Sequence, residues 1–128
     1  MAIQKIHHIG VMVSDMEASI TFYREVIGLE LFKRLNLENV PPLAFLGFPN
    51  AKETTVELVE VKGANFAEEG RVHHLAFGVA DIEAEVERLK DLNVSFVNEN
   101  VNTMSNGSKN IFFYGPDRER IELFEELN

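Results

Sequence analysis

Ile6-His7-His8-Ile9-Gly10-Val11-Met12-Val13 sets β-branched residues at alternate positions, with a histidine, a glycine and a methionine between them. Successive side chains of a strand point to opposite faces, so Ile9, Val11 and Val13 share one face and His8, Gly10 and Met12 the other. The first face calls for a helix packed against it. The second leaves room above the strand, next to an imidazole. The plan returns at Val72-His73-His74-Leu75-Ala76-Phe77-Gly78-Val79, with His74 standing 66 residues after His8. An internal repeat constrains architecture more than local propensity does. His7 and His73 fall on the faces opposite His8 and His74 and read as structural or as supports for those two rings, with the structural reading favoured.

After each His-His strand the same events recur. Asp15 and Asp81 occupy matching offsets and suit helix N-caps, since a carboxylate accepts from the free N–H groups of a first turn. Met16, Ile20, Tyr23 and Ile27 recur at helical spacing, and Gly28 fits the left-handed residue that closes a helix. In the second copy Ile82, Val86 and Leu89 form the buried stripe of a helix ending near Asn93, and Arg88 and Lys90 at its end suit the helix dipole. Strands are expected at 29–35, 43–48 and 54–61, then at 94–97, 110–114 and 120–125, with turns at Pro49-Asn50 and Gly115-Pro116-Asp117. Residues 62–71 read as a linker. Residues 99–109 read as a polar surface loop with a turn at Asn106-Gly107. Each half is therefore β-α-β-β-β. The fold class is α+β, with one domain over 1–128 built from repeats at 4–62 and 71–128.

Alternation on the last strand of each half isolates two carboxylates. Val56 and Leu58 share a buried face, which turns Glu57 the other way with Val59 and Val61. Ile121 and Leu123 do the same for Glu122 and Phe124. Glu57 and Glu122 lie 65 residues apart, one fewer than the histidines. Each half thus offers one His and one Glu on the face away from its helix. Two imidazoles and two carboxylates, His8, Glu57, His74 and Glu122, suit one divalent ion of the Zn²⁺, Ni²⁺, Co²⁺, Mn²⁺ or Fe²⁺ group. Met12, Val59, Val61 and Phe124 are the expected substrate-pocket residues.

Composition bounds the partners. The 128 residues are 45% apolar and 26% charged, as expected of a soluble globular chain. A net charge of −9 argues against nucleic acid and against anionic membrane surfaces. The chain has no cysteine, so a metal must be held by histidine, carboxylate or water. No signal-peptide pattern or apolar run of transmembrane length is present, which makes the cytoplasm the expected location.

These residues resemble the vicinal oxygen chelate superfamily, the group of glyoxalase I, methylmalonyl-CoA epimerase, extradiol dioxygenases, fosfomycin-resistance and bleomycin-binding proteins. The resemblance spans essentially the whole chain. It is carried by His8-Ile9-Gly10-Val11-Met12-Val13, by Phe22-Tyr23-Arg24-Glu25-Val26-Ile27-Gly28-Leu29, by Val56-Glu57-Leu58, by His74-Leu75-Ala76-Phe77 and by Gly115 to Leu123. The four positions match the His/Glu/His/Glu set of bacterial glyoxalase I. The resemblance implies paired modules forming a curved-sheet cavity, a homodimer, a small-molecule substrate and a lyase or isomerase reaction. In such a reaction the metal stabilises an enolate while a carboxylate moves the proton. Glu122 is the first choice for that base and Glu57 its counterpart. Glutathione-dependent relatives usually carry Arg where Met12 stands and Asn where Val61 stands, so a less polar substrate is expected. Two other classes compete. An extradiol-type dioxygenase would use two His and Glu122 on Fe²⁺, with Glu57 crowding the open positions it needs. A non-catalytic drug-binding protein would have no use for all four ligands.

Overall fold

The computed structural model describes residues 4–68 and 70–126. The chain is α+β and divides into two compact units, with the boundary between Asn65 and Phe66.

The first unit runs β1 (His8–Val13), α1 (Met16–Phe22), a π-helical turn (Tyr23–Ile27), β2 (Glu30–Leu35), β3 (Leu43–Phe48) and β4 (Ala51–Glu60). Its sheet has the order β1-β4-β3-β2. β1 lies parallel to β4, and the other pairs are antiparallel. The second unit runs β5 (Leu75–Gly78), α2 (Ile82–Asp91), β6 (Ser95–Phe96), β7 (Asn102–Thr103), β8 (Lys109–Tyr114) and β9 (Arg120–Glu125). Its order is β5-β9-β8-β6, with β7 also on β8. β5 lies parallel to β9. In both units the first strand therefore inserts beside the last, which brings the His-bearing and Glu-bearing strands side by side.

Alternation sets the cores. Val13, Met16, Ile20, Tyr23, Leu46 and Leu58 are buried in the first unit, and Ile82, Val86, Leu89, Ile111, Phe113, Ile121 and Leu123 in the second. Each such aliphatic or aromatic side chain contributes about 1.5–3 kcal/mol on burial. Both helices start the same way. Asp15 accepts from the Ala18 N–H at 3.2 Å and Asp81 from the Ala84 N–H at 3.2 Å. A glutamate near the end of each last strand reaches the first turn as well. Glu60 accepts from the Met16 N–H at 2.8 Å, and Glu125 from the Ile82 N–H at 2.9 Å. These two contacts lock each helix to its sheet through groups that the helix itself leaves unsatisfied.

Some boundaries differ from the sequence reading. The last turn of the first helix is π-helical, and the wider turn shifts the stripe, so Ile27 is only half-buried. Gly28 closes it at φ 92°, in the left-handed region. β4 begins at Ala51 because the two-residue turn at Pro49-Asn50 keeps the strands paired, with Phe48 opposite Ala51. β5 begins at Leu75, which leaves His73 and His74 immediately before it. The 99–109 segment is not wholly loop. Asn102 and Thr103 pair with Asn110 and Lys109. Among the described residues, no helix is long and apolar enough to cross a membrane.

Candidate metal centre

Parallel pairing of first and last strands brings each histidine beside its carboxylate. In the first unit His8 Nε2 lies 3.9 Å from Glu57 Oε1. In the second, His74 Nε2 lies 3.1 Å from Glu122 Oε1. Two donors of one ion, at bonds of about 2.0–2.2 Å, stand roughly 3–3.5 Å apart. The His74–Glu122 pair already has that spacing, and the His8–Glu57 pair needs a small side-chain closure. Among the described residues, no group of three or more His, Asp or Glu side chains stands together as a metal cluster. The structure thus holds the four residues expected as ligands in two His–Glu pairs, one per unit.

Each of these two imidazoles has a second imidazole beside it. His7 Nδ1 lies 2.9 Å from His8 Nδ1, and His73 Nδ1 lies 2.9 Å from His74 Nδ1. A proton on Nδ1 of His8 or His74, donated to its neighbour, leaves Nε2 as the lone-pair nitrogen on the carboxylate side. His7 and His73 thus stand as hydrogen-bond partners of the His8 and His74 rings, the supporting one of the two places the sequence left open for them. An aromatic edge stands by each of those rings. Phe45 lies opposite Glu57 in the β3–β4 register and 6.1 Å from the His8 ring. Phe112 lies opposite Glu122 in the β8–β9 register and 5.2 Å from the His74 ring.

The carboxylates are not equivalent. Glu122 is buried and its Oε2 accepts from Asn110 Nδ2 at 2.8 Å. Asn110 in turn accepts from Asn102 Nδ2 at 3.3 Å. Glu57 is half-buried and crosses over Gly10, where an added Cβ would meet its Oε1 at 3.6 Å. The sequence reading did not single out Asn110 or Asn102. The signal was an asparagine inside a strand, a residue type that strands disfavour, alternating with Phe112 and Tyr114 away from Ile111 and Phe113.

The expected pocket residues divide between the units. Met12 pairs with Val59, and both Met12 and Val61 are exposed. Phe124 lines a cavity of about 610 Å³ with Ala76, Gly78, Val79, Ala80, Glu125 and Glu126. Ala76 and Gly78, the small residues of β5, form part of its lining, and neither His74 nor Glu122 does.

A cluster of polar and charged contacts surrounds Tyr114 of the second sheet. Tyr114 donates to Glu68 in a short hydrogen bond, and Arg118 lies 4.2 Å over the Tyr114 ring. The Tyr114 hydroxyl, with Arg118 and Arg120 nearby, holds the Glu68 carboxyl below its ordinary range, and the same carboxylate pushes the Tyr114 hydroxyl up.

Comparison with known proteins places nearly the whole chain in one family. Residues 5–123 match the sequence model of the Glyoxalase/Bleomycin resistance protein/Dioxygenase superfamily. The chain is 42% identical over 123 residues to the uncharacterized protein YwbC of Bacillus subtilis (strain 168), covering 95% of this chain and 98% of that one. It is 33% identical over 125 residues to the lactoylglutathione lyase of Haemophilus influenzae, covering 94% of this chain and 92% of the relative. Among solved structures, the trypanothione-dependent glyoxalase I of Leishmania major superposes with a TM-score of 0.78 at 28% identity, over 96% of this chain and 87% of that one.

Proposed function

The chain belongs to the Glyoxalase/Bleomycin resistance protein/Dioxygenase superfamily, and on that footing we propose that it is a divalent-metal-dependent lyase or isomerase acting on a small carbonyl compound. The observation that carries this reading is the repeated His–Glu pair: in each unit, Nε2 of an oriented histidine faces a carboxylate oxygen across a parallel strand pair. His8, Glu57, His74 and Glu122 would hold the ion. When bound, a divalent ion there supplies Lewis-acid polarisation of a substrate carbonyl, which lowers the pKa of the neighbouring C–H. Glu122 removes or returns that proton, with Glu57 as its counterpart. His7 and His73 keep the His8 and His74 rings in the tautomer that presents Nε2. Met12, Val59, Val61 and Phe124 line the substrate side with apolar surface. With Met12 and Val61 apolar, the favoured substrate is less polar than a glutathione adduct. The active form is a homodimer.

The test combines metal content with turnover. Protein purified without chelators carries Zn²⁺, Ni²⁺, Co²⁺, Mn²⁺ or Fe²⁺, or takes one up after stripping. A chain that binds none of these ions overturns the reading. Activity is then assayed on methylglyoxal–glutathione adduct and on smaller α-hydroxycarbonyl compounds. Glu122→Gln lowers kcat by about 10²–10⁴, the usual contribution of a general base. Unchanged kcat rejects Glu122 as the base.

A further inference from the structure

The pairing of a buried asparagine with only one of the two carboxylates points to a residue that the ligand set does not include. Asn110 sits on β8, two residues before Phe112, and Phe112 lies opposite Glu122. Its own cross-strand partner is Phe124, the residue that lines the cavity beside His74's strand. The corresponding place in the first unit, two residues before Phe45, is Leu43. So the repeat has put an amide where its twin has a hydrocarbon.

The direction of that amide is fixed by chemistry. An ionised carboxylate only accepts hydrogen bonds, so the NH₂ of Asn110 must face Glu122. Its carbonyl oxygen then faces Asn102, whose own NH₂ donates to it at 3.3 Å. The relay is directional, Asn102 to Asn110 to Glu122 Oε2, and it ends at a buried group. With Oε2 occupied, Oε1 is left on the side of His74 Nε2, 3.1 Å away. Glu57, in the unit that has Leu43 at that place, stands 3.9 Å from His8 Nε2. The tighter His–Glu spacing occurs in the unit that has the amide.

We infer that Asn110, held by Asn102, is a positioning residue that fixes the Glu122 carboxylate with Oε1 toward the metal and sets the affinity of this half of the site. The inference rests on the metal-dependent reading above and adds a residue to it. Hydrogen bonds that orient a ligating carboxylate commonly contribute 10–100-fold to metal affinity.

Titration calorimetry of metal-stripped protein with Zn²⁺ and with Ni²⁺ tests it. Asn110→Leu, which copies the first unit, weakens binding of both ions about 10–100-fold. Asn110→Gln keeps a donor and recovers part of the loss, which a merely space-filling role would not produce. Asn102→Ala, at an exposed position, leaves the buried carboxylate its amide but frees that amide to turn, and weakens binding by a smaller factor. It also carries the test if Asn110→Leu does not fold, since wild-type affinity in Asn102→Ala overturns the relay. Wild-type affinity in a folded Asn110→Leu protein overturns the inference while leaving the metal reading intact. Failure of the unaltered protein to bind either ion overturns both.

Discussion

The two units of this chain share a strand–helix–sheet plan and differ in detail, the first in its π-helical turn and the second in its extra strand β7. Each begins with a His-His pair whose Nδ1 atoms stand 2.9 Å apart, caps its helix with an aspartate, and ties the helix to its last strand through a glutamate. Phe45 and Phe112 occupy matching places opposite Glu57 and Glu122. Several differences fall on the face that carries the His–Glu pair. There Gly10 and Met12 stand against Ala76 and Gly78, and Leu43 against Asn110. The repeated contacts are those that any βαβββ unit needs to close its helix on its sheet. Gly10, Met12 and Leu43 in the first unit and Ala76, Gly78 and Asn110 in the second are not part of those shared contacts, so they can differ without loosening the helix from its sheet.

The largest effects test whether the shared core is equally costly to damage. Phe113 and Leu46 hold matching positions one residue past Phe112 and Phe45, and both are fully buried. Phe113→Ala should cost about 3–5 kcal/mol and Leu46→Ala about 2–5 kcal/mol, the range for deleting buried aromatic and aliphatic groups. Chemical denaturation of each variant measures this. A loss below about 1 kcal/mol at either position would end the equivalence of the two cores.

The helix caps allow a closer test, because their geometry is nearly identical. Asp15→Ala and Asp81→Ala should each cost about 1 kcal/mol, a normal N-cap contribution. Equal losses in thermal or urea unfolding would show that the caps act alike. A clear inequality would trace to the helix beyond each cap, since the first helix ends in a π-helical turn and the second does not.

Much of this was legible in the sequence because it depends on periodicity. Alternation placed His8 with Gly10 and Met12, separated Glu57 from Val56 and Leu58, and found the same arrangement around Glu122. Asp15 and Asp81 declared the helix starts through a backbone rule that needs no tertiary context. Three things were not legible. The π-helical turn at Tyr23–Ile27 is a local shift within a sequence that keeps helical spacing. β7 is two residues long and exists through its pairing with β8, a tertiary cause. The Asn102–Asn110–Glu122 relay joins residues on three strands, and the Asn110 amide reaches Glu122 diagonally across the β8–β9 register, a contact that a strand pattern does not specify. Glu60 and Glu125 were hidden likewise, since nothing in a strand pattern says that a glutamate turns back to a helix N-terminus.

Exchanging the pocket residues probes the divergent face at smaller energetic cost. Gly78 occupies the place of Met12, and an added Cβ there meets nothing within 4 Å. Gly78→Met should leave stability within about 1 kcal/mol, since the strand gains propensity and loses only glycine's freedom. It should also fill part of the cavity lined by Ala76 and Phe124 and lower substrate affinity. The reverse probe is Met12→Arg, which introduces a polar anchor and should lower KM for the methylglyoxal–glutathione adduct more than it changes kcat. An unchanged KM in both variants would remove these positions from the substrate side.

The mildest effect belongs to the second unit alone. Glu68 accepts from the Tyr114 hydroxyl and pairs with Arg118 at 3.3 Å and Arg120 at 3.9 Å. Its carboxyl is held below the ordinary value mainly by the tyrosine hydrogen bond. A carboxyl with a lowered folded-state pKa contributes stability that is present above its unfolded value and lost as pH falls through the lowered one. Tyr114→Phe removes the largest cause and leaves the arginines, so the Glu68 carboxyl should titrate at higher pH than before. ¹³C NMR of the side-chain carboxyl follows this directly. Stability near neutral pH should hardly change, because the contact is exposed to solvent and exposed pairs contribute little. If Glu68 titrates identically in Tyr114→Phe, the arginines alone hold it. The tyrosine hydroxyl would then have no part in holding Glu68 against β8.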